Sequence, residues 1–302
     1  MGFRLIYRGV LSNLVTHSKE PSLKDATNLR AFTGFDSAWT DNAAKPGAIL
    51  TIFESKTGEL ACEAPRLATF ADAVVDIKAI SEHVPFHLVA IDQPTVVPNL
   101  NGCRPVERAV SSLICKLKGG VQPANRSKDI MFGDAAAIWR FLSDLPHEQL
   151  PFKAMEATQG RFLIEVFPAM ALAAWIPVLM RRGRGAKYNP ARRKTFLPED
   201  WRLVTRHIAE HAKRIKLEAL NVWATSQSEL NRPTKECQDK LDAAICALIA
   251  LDFGRHGLTH NVVLGDPISG YIVTPTSTDT LPVIDAAARR CQVPLNDPMA
   301  WS

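Results

Sequence analysis

Carboxylate side chains occur where apolar runs end or an apolar helix begins. Asp36 closes the run GFD, Asp92 lies in AIDQP, and Glu165 lies in IEVFP. Asp239 and Asp242 lie three residues apart in DKLDAAICALIA. A carboxylate among apolar residues is costly to bury unless it is paired or binds a metal ion, and several at one sheet edge would repel one another unless cations lay between them. The pattern therefore indicates either separate turns and caps or one shared cation site.

Asp239 and Asp242 lie near the start of a helix predicted from about 234 to 253. Residues three apart share a helix face, so the two carboxylates would point the same way. Negative charge near a helix N-terminus also stabilises the helix through its dipole. Both interpretations remain open for Asp239, whereas Asp242 lies deeper in the apolar run and favours a site.

Basic residues are concentrated in one stretch, 181–216, which has 12 lysines and arginines against three acidic residues, a balance of +9. The other 24 basic and 28 acidic residues leave −4, although the whole chain carries +5. This asymmetry is typical of a nucleic-acid-binding surface, and a solvated surface is the alternative for any single residue. The candidates for phosphate contact are Arg182, Arg184, Lys187, Arg192, Arg193 and Lys194, with Tyr188 and Trp201 as candidates for base stacking.

The elements that must position these residues follow from the apolar pattern. The N-terminal half predicts a strand in the run 30–39 that ends at Asp36, a hairpin of 47–55 and 58–65, a helix over 67–84 and a buried strand over 85–94. The C-terminal half predicts more helix over 101–160, a strand over 161–167, helices over 199–219 and 234–253, and a hairpin over 265–275. An early hairpin followed by a crossover helix predicts an α/β fold with a mixed sheet. Residues 1–29 are predicted to be an arm and 276–302 a covering tail.

Composition and local signals exclude several classes of protein. With 46% hydrophobic and 22% charged residues, the 302-residue chain is neither disordered, a coiled coil nor collagen-like. Six cysteines without a C-x-x-C pair indicate no disulfide framework or zinc knuckle and predict a reducing cytoplasm. The apolar stretch 161–180 resembles a membrane span, but Glu165 and two prolines interrupt it, so a strand and a helix are predicted there.

His207, Glu210 and His211 match H-x-x-E-H, an inverted zinc-protease signature. The spacing places both histidines on one helical face. Several cations on the same helix oppose a metal ion there, and short motifs of this kind arise by chance. We therefore predict a surface helix whose basic face joins the basic stretch.

The order of several short motifs resembles the family called domain of unknown function 429, described as predicted nucleases of the RNase H fold. The matching pieces are GFDSAW, AIDQP, RPVERAV, QPANR, EVFP, DKLDAAICALIAL and GYIVTP. They cover residues 30 to about 275. The resemblance implies an RNase H-like domain over 30–275, with a helical insertion at about 101–160 and helices on both faces of a mixed sheet.

The resemblance also implies a chemistry, the hydrolysis of phosphodiester bonds of DNA or RNA by a two-metal site of Mg²⁺ or Mn²⁺. Asp36 matches the acid of the first strand and is expected to bridge both ions. Asp92 and the helical Asp239 and Asp242 match the other acidic positions, and Glu165 is an additional candidate. Hard oxygen ligands suit these ions.

Three other functions are alternatives to a nuclease. A non-catalytic nucleic-acid-binding protein would use the basic stretch and leave the carboxylates as caps and turns. An actin-like ATPase needs glycine-rich phosphate turns, and GFDSAWTDN has no glycine after Asp36. A serine hydrolase needs a G-x-S-x-G elbow, which the sequence lacks.

Overall fold

A mixed six-stranded sheet lies at the centre of the computed structural model, which describes residues 29–37, 39 and 41–301. Its strands are β1 (Arg30–Asp36), β2 (Gly47–Glu54), β3 (Leu60–Cys62), β4 (Arg66–Ala68), β5 (Phe86–Ile91) and β6 (Gly160–Glu165). The order is β3-β2-β1-β5-β6, and β4 also pairs with β2. β1 is antiparallel to β2 and parallel to β5, and β5 is parallel to β6. The predicted α/β class with a mixed sheet is confirmed.

Eleven α-helices and a second small sheet surround this sheet in the described part of the chain. The helices are α1 (Phe70–Ser81), α2 (Pro105–Lys116), α3 (Asp129–Phe132), α4 (Ala137–Asp144), α5 (Pro151–Glu156), α6 (Pro168–Trp175), α7 (Pro177–Arg181), α8 (Pro198–Arg214), α9 (Glu218–Ser228), α10 (Lys235–His256) and α11 (Leu281–Cys291). The small sheet pairs β7 (Asn261–Asp266) with β8 (Gly270–Pro275). It joins the main sheet through a bridge between Val166 and Val273.

Alternating side chains of the strands enter two apolar layers. In β5, Leu88 and Ala90 pack in the core that contains α10, whereas Val89 and Ile91 pack in the core that contains α1 and α4. All six residues of β5 are buried, as expected for a strand covered on both faces. The sheet therefore carries helices on each side.

Helix α10 lies directly on β1 because Gly34 has no side chain. A Cβ atom at Gly34 would lie 2.1 Å from the backbone nitrogen of Ala247 and 2.2 Å from the carbonyl oxygen of Ala243. Glycine is required here for the close backbone approach. This contact fixes the helix two residues before the end of β1.

Several predicted boundaries differ from the observed ones. The second hairpin strand, predicted over 58–65, is β3 and β4, separated around Pro65, which has no amide hydrogen for the ladder. The first helix begins at Phe70, after a capping box formed by Thr69 and Asp72. The helix predicted over 199–219 is two helices, because Lys216 has a φ of 60° and ends the helical path.

The C-terminal residues also differ from prediction. The terminal hairpin begins at Asn261 rather than at 265. The region predicted as a tail contains α11, which buries Ile284, Ala287 and Ala288 against α2 and the small sheet. The predicted arm lies outside the described residues except for Leu29.

The apolar stretch 161–180 consists of β6, α6 and most of α7. Within the described ranges, no helix combines the length and apolar character needed to cross a membrane.

Candidate functional site

Two parallel strands and one helix bring four predicted carboxylates together. Phe35 and Ile91 are register partners in β1 and β5, so Asp36 and Asp92 follow one another side by side at the carboxyl edge. The first turns of α10 add Asp239 and Asp242. All four line one cavity of about 810 Å³.

The grouped carboxylates raise one another's pKa values. Burial, followed by the charges of Asp242, Asp92 and Asp239, raises the pKa of Asp36 well above its usual range. Burial and the charge of Asp242 do the same for Asp92. Burial raises the pKa of Asp242 to about 6, although hydrogen bonds oppose the rise. Gathering these carboxylates therefore costs electrostatic free energy, which a bound cation would offset.

Neutral donors orient Asp242. The hydroxyl of Tyr188 donates to Oδ1 of Asp242 at 2.7 Å, and Gln238, one helical turn earlier, donates to Oδ2. Tyr188 is therefore part of the acidic cavity as well as of the basic stretch, and its hydroxyl supports a carboxylate instead of being free. The pKa of Tyr188 is well above its usual value because of burial and the nearby Asp242.

Lys235 is the basic group that the sequence analysis missed. The ammonium of Lys235 forms an ion pair with Asp239. Burial disfavours its charge, but Asp36, Asp239 and Asp242 raise its pKa. The i, i+4 spacing of Lys235 and Asp239 on a predicted helix was the signal that could have identified it.

Trp39 is a second missed residue. Its indole nitrogen donates to the backbone carbonyl of Asp92 at 2.9 Å, and the backbone nitrogen of Asp92 donates to the carbonyl of Phe35 at 3.0 Å. The turn that carries Asp92 is thereby fixed to the end of β1. Nothing in the sequence pairs a tryptophan with this turn.

Glu165, a predicted catalytic residue, does not join this cavity. Arg104 donates to both of its carboxylate oxygens, at 2.9 and 2.6 Å, and the backbone nitrogen of Thr95 donates at 2.9 Å. Glu165 is in register with Ile91, so alternation along the strands directs it to the opposite face from Asp92. It is a member of a buried ion pair, and its place among the predicted catalytic residues is corrected on this ground.

The first part of the basic stretch is held by a buried carboxylate. Arg182 and Arg184 form ion pairs with Asp200 at 2.8 and 2.9 Å, and Asp200 is fully buried. The ammonium of Lys187 donates to the carbonyl of Lys118. These residues therefore have structural partners, which the charge pattern did not indicate.

Trp201 cannot stack on nucleic-acid bases, because its side chain is buried in the core with α10. Among the six predicted phosphate-contacting residues, the exposed ones are Arg192, Arg193 and Lys194. Arg192 and Lys187 line the acidic cavity. Basic residues thus line the same cavity as the four carboxylates.

The H-x-x-E-H residues lie on α8, away from the acidic cavity. His211 packs against Trp175 with ring centroids 5.7 Å apart, and burial lowers its pKa to about 4. In the part of the chain that is described, His207, Glu210 and His211 do not bring three ligand atoms within 4.8 Å of one another.

Fold and site together define an α/β protein with an acidic cavity at the carboxyl edge of a mixed sheet. The chain belongs to the family described as protein of unknown function (DUF429), whose model matches residues 34–267. All five predicted acidic site residues fall within that match. No curated protein and no solved structure shows a significant match to the chain.

Proposed function

We propose that this protein is a metal-dependent nuclease that hydrolyses phosphodiester bonds of nucleic acid. The observation that carries the proposal is the convergence of Asp36, Asp92, Asp239 and Asp242 on one cavity that basic residues also line. Strand ends and a helix start, distant in sequence, supply these carboxylates. Four carboxylates on one cavity are electrostatically costly, and a cation-dependent activity accounts for that cost.

The strand order supports an RNase H-like assignment. The sheet has an antiparallel hairpin beside β1, followed by the parallel strands β5 and β6. This is the arrangement that the family resemblance implies, with acids at the ends of the first and fourth main strands and on a late helix. The short β4 is an addition that pairs with the first residues of β2.

The donor set fits Mg²⁺ or Mn²⁺. The four groups offer hard carboxylate oxygens, which these ions prefer. Within the described ranges, no three of these carboxylates have oxygens all within 4.8 Å of one another, so ions shared by pairs of carboxylates suit the spacing better than one ion held by three. Asp36, Asp92 and Asp242 would hold the ions, with Asp239 beside them. When bound, the ions would activate water and stabilise the leaving oxygen.

The chain's own groups would bind and orient the substrate. Arg192 at the cavity wall can contact a phosphate, and the exposed Arg193 and Lys194 continue the basic surface beside it. Tyr188 and Gln238 keep Asp242 in one orientation. Lys235 supplies positive charge close to the carboxylates and can neutralise an approaching phosphate.

A non-catalytic nucleic-acid-binding protein is the second candidate. The observation that favours it is the ion pair of Lys235 with Asp239, because an ammonium already offsets part of the negative charge that a metal ion would otherwise neutralise. In that case the exposed Arg192, Arg193 and Lys194 would bind the phosphate backbone and the carboxylates would stabilise the start of α10.

Cleavage of labelled substrates distinguishes the two functions. Chelator-treated protein is incubated with single-stranded DNA, duplex DNA, RNA and a four-way junction, with and without Mg²⁺ or Mn²⁺. We expect metal-dependent cleavage that Asp36→Asn reduces by about 10³-fold or more, equivalent to about 4 kcal/mol. Asp279→Asn removes an exposed carboxylate outside the cavity and should leave the rate unchanged.

Two results would contradict the nuclease. One is folded protein that cleaves none of the substrates with either ion. The other is cleavage that persists at full rate in Asp36→Asn, which would indicate a contaminant. Retained nucleic-acid binding without Mn²⁺ binding would support the non-catalytic candidate.

A further inference from the structure

A second cluster of potential metal ligands lies at the other end of α10. Asp252 and His256 are one helical turn apart on α10, and His260 follows the short 3₁₀ turn Gly257–Thr259. One ligand atom from each residue lies within 4.8 Å of the other two. Oδ1 of Asp252 is 3.1 Å from Nδ1 of His260 and 4.0 Å from Nε2 of His256. We propose that these three residues form a binding site for a transition-metal ion, with Zn²⁺ as the best match.

The spacing and the residue types suit such an ion. Ligands at about 2.0–2.1 Å from a tetrahedral Zn²⁺ lie about 3.4 Å from one another, so the observed separations require small side-chain rotations. The two imidazole rings are already close, with centroids 4.2 Å apart. Two imidazoles and one carboxylate form a three-ligand set that leaves a fourth position for water or substrate.

A neighbouring amide fixes the carboxylate. The side-chain nitrogen of Asn261 donates to Oδ2 of Asp252 at 2.9 Å and to the carbonyl of Gly257 at 3.1 Å. Asn261 is fully buried. Oδ1 is therefore left for the histidines, and hydrogen bonds of this kind orient metal-binding carboxylates.

The surroundings leave the ligands accessible, and the nearest basic side chain on the helix is directed elsewhere. His256 and His260 are exposed and Asp252 is half-buried. Arg255, the nearest basic residue along the helix, is directed to Glu54 and the carbonyl of Gly58. The backbone carbonyl of His260 accepts from the nitrogen of Thr276, which holds the segment before β7 in place.

This site is independent of the acidic cavity. Asp242 and Asp252 are ten residues apart on one helix, or about 15 Å along its axis. Imidazole ligands select Zn²⁺ and similar ions, whereas the carboxylates of the cavity suit Mg²⁺ or Mn²⁺. A bound ion would link the end of α10 to the segment that enters β7.

Metal titration of tag-free, chelator-treated full-length protein tests the proposal. We expect Zn²⁺ in calorimetry, and Co²⁺ by its visible absorption, to bind at this site without the thiolate charge-transfer band of cysteine ligation. His256→Ala/His260→Ala should weaken binding by more than about 100-fold, because losing a group that merely orients a ligand already costs about 10- to 100-fold. Zn²⁺ should also raise the melting temperature of the parent protein and not of this variant.

Three further variants keep the result decisive. His207→Ala/His211→Ala removes the same number of imidazoles and should retain binding, as should Asp36→Asn. Asp252→Asn preserves the shape of the side chain and should weaken binding even if the double histidine variant is unstable. The proposal is overturned if the parent protein binds no Zn²⁺ saturably, or if binding survives both Asp252→Asn and the double histidine variant.

Discussion

Asp92 and Glu165 lie at the carboxyl ends of adjacent parallel strands, yet their environments are opposite. Glu165 has Arg104 against both carboxylate oxygens and the amide of Thr95 against one. Among the described residues, no group donates a hydrogen bond to the carboxylate of Asp92, and it faces the charge of Asp242. An arginine bonded directly to the carboxylate makes Glu165 structural. Asp92 has no such direct partner among the described residues and is left available for a ligand.

The largest expected effect is on stability, at the ion pair of Arg104 with Glu165. Arg104→Met leaves Glu165 as an uncompensated buried charge, so the free energy of unfolding should fall by about 3–5 kcal/mol. Urea unfolding at pH 7 measures it. Arg108→Met, on the exposed side of the same helix, is the matched control and should change stability by less than about 0.5 kcal/mol. A loss below about 1 kcal/mol for Arg104→Met would show that the pair does not carry the structural role assigned to it.

The sequence alone distinguishes Asp92 from Glu165 only in part, because the face that each side chain occupies depends on the strand register. The apolar runs located the ends of β1, β5 and β6, and parallel strands bring such ends to one edge, so the grouping of Asp36 with Asp92 was predictable. Which face Glu165 occupies depends on its pairing with Ile91, and a shift of one residue would reverse it. Arg104 precedes α2, and the apolar pattern of the strands does not predict where that part of the chain lies.

The basic stretch shows the same limit. Net charge located the stretch, and the exposed Arg192, Arg193 and Lys194 agree with a surface role. Charge counting could not reveal that Asp200 is buried and attracts Arg182 and Arg184. Composition does not show which residues are in contact. The ion pairs of these arginines become visible only in the folded structure, where the helix that carries Asp200 is packed in the core.

A smaller effect separates the two kinds of arginine in the basic stretch. Arg184→Ala removes one of two arginines from the buried Asp200 and should cost about 2 kcal/mol, the range for hydrogen bonds to charged groups. Arg192→Ala should leave stability unchanged, weaken nucleic-acid binding and reduce the slope of log affinity against log salt by about 1. Thermal unfolding and binding at several salt concentrations measure both. If the two variants had equal effects on binding and on stability, the division into a structural Arg184 and a nucleic-acid-binding Arg192 would be wrong.

A further prediction concerns the pH dependence of stability in metal-free protein. The native pKa values of Asp36, Asp92 and Asp242 lie above their unfolded values, so the native state retains protons that the unfolded state has released. The free energy of unfolding should therefore fall as pH rises from about 4 through about 6. Asp92→Asn should raise stability at pH 7 by about 1 kcal/mol, since a tenfold change in proton affinity corresponds to about 1.4 kcal/mol, and should change little at pH 4.

The control for this effect is Asp279→Asn, which is exposed and outside the cavity and should leave the pH profile as it is. Denaturant unfolding across the pH range is the measurement. If Asp92→Asn and the parent protein have the same slope, repulsion among the carboxylates does not limit stability.

The smallest expected effect is at Tyr188, where the basic stretch meets the acidic cavity. Its hydroxyl donates to Asp242, so Tyr188→Phe should cost about 1 kcal/mol and raise the pKa of Asp242 above about 6. Under the proposed function, the acidic limb of the cleavage profile then shifts to higher pH while the rate at high pH is retained, because an ionised Asp242 is needed to hold a metal ion.

Base stacking by the ring makes a different prediction: Tyr188→Phe would match the parent protein in both profile and affinity, and only Tyr188→Leu would lose binding. Cleavage and binding measured across pH for the two variants therefore decide whether this residue supports the carboxylate or contacts the substrate.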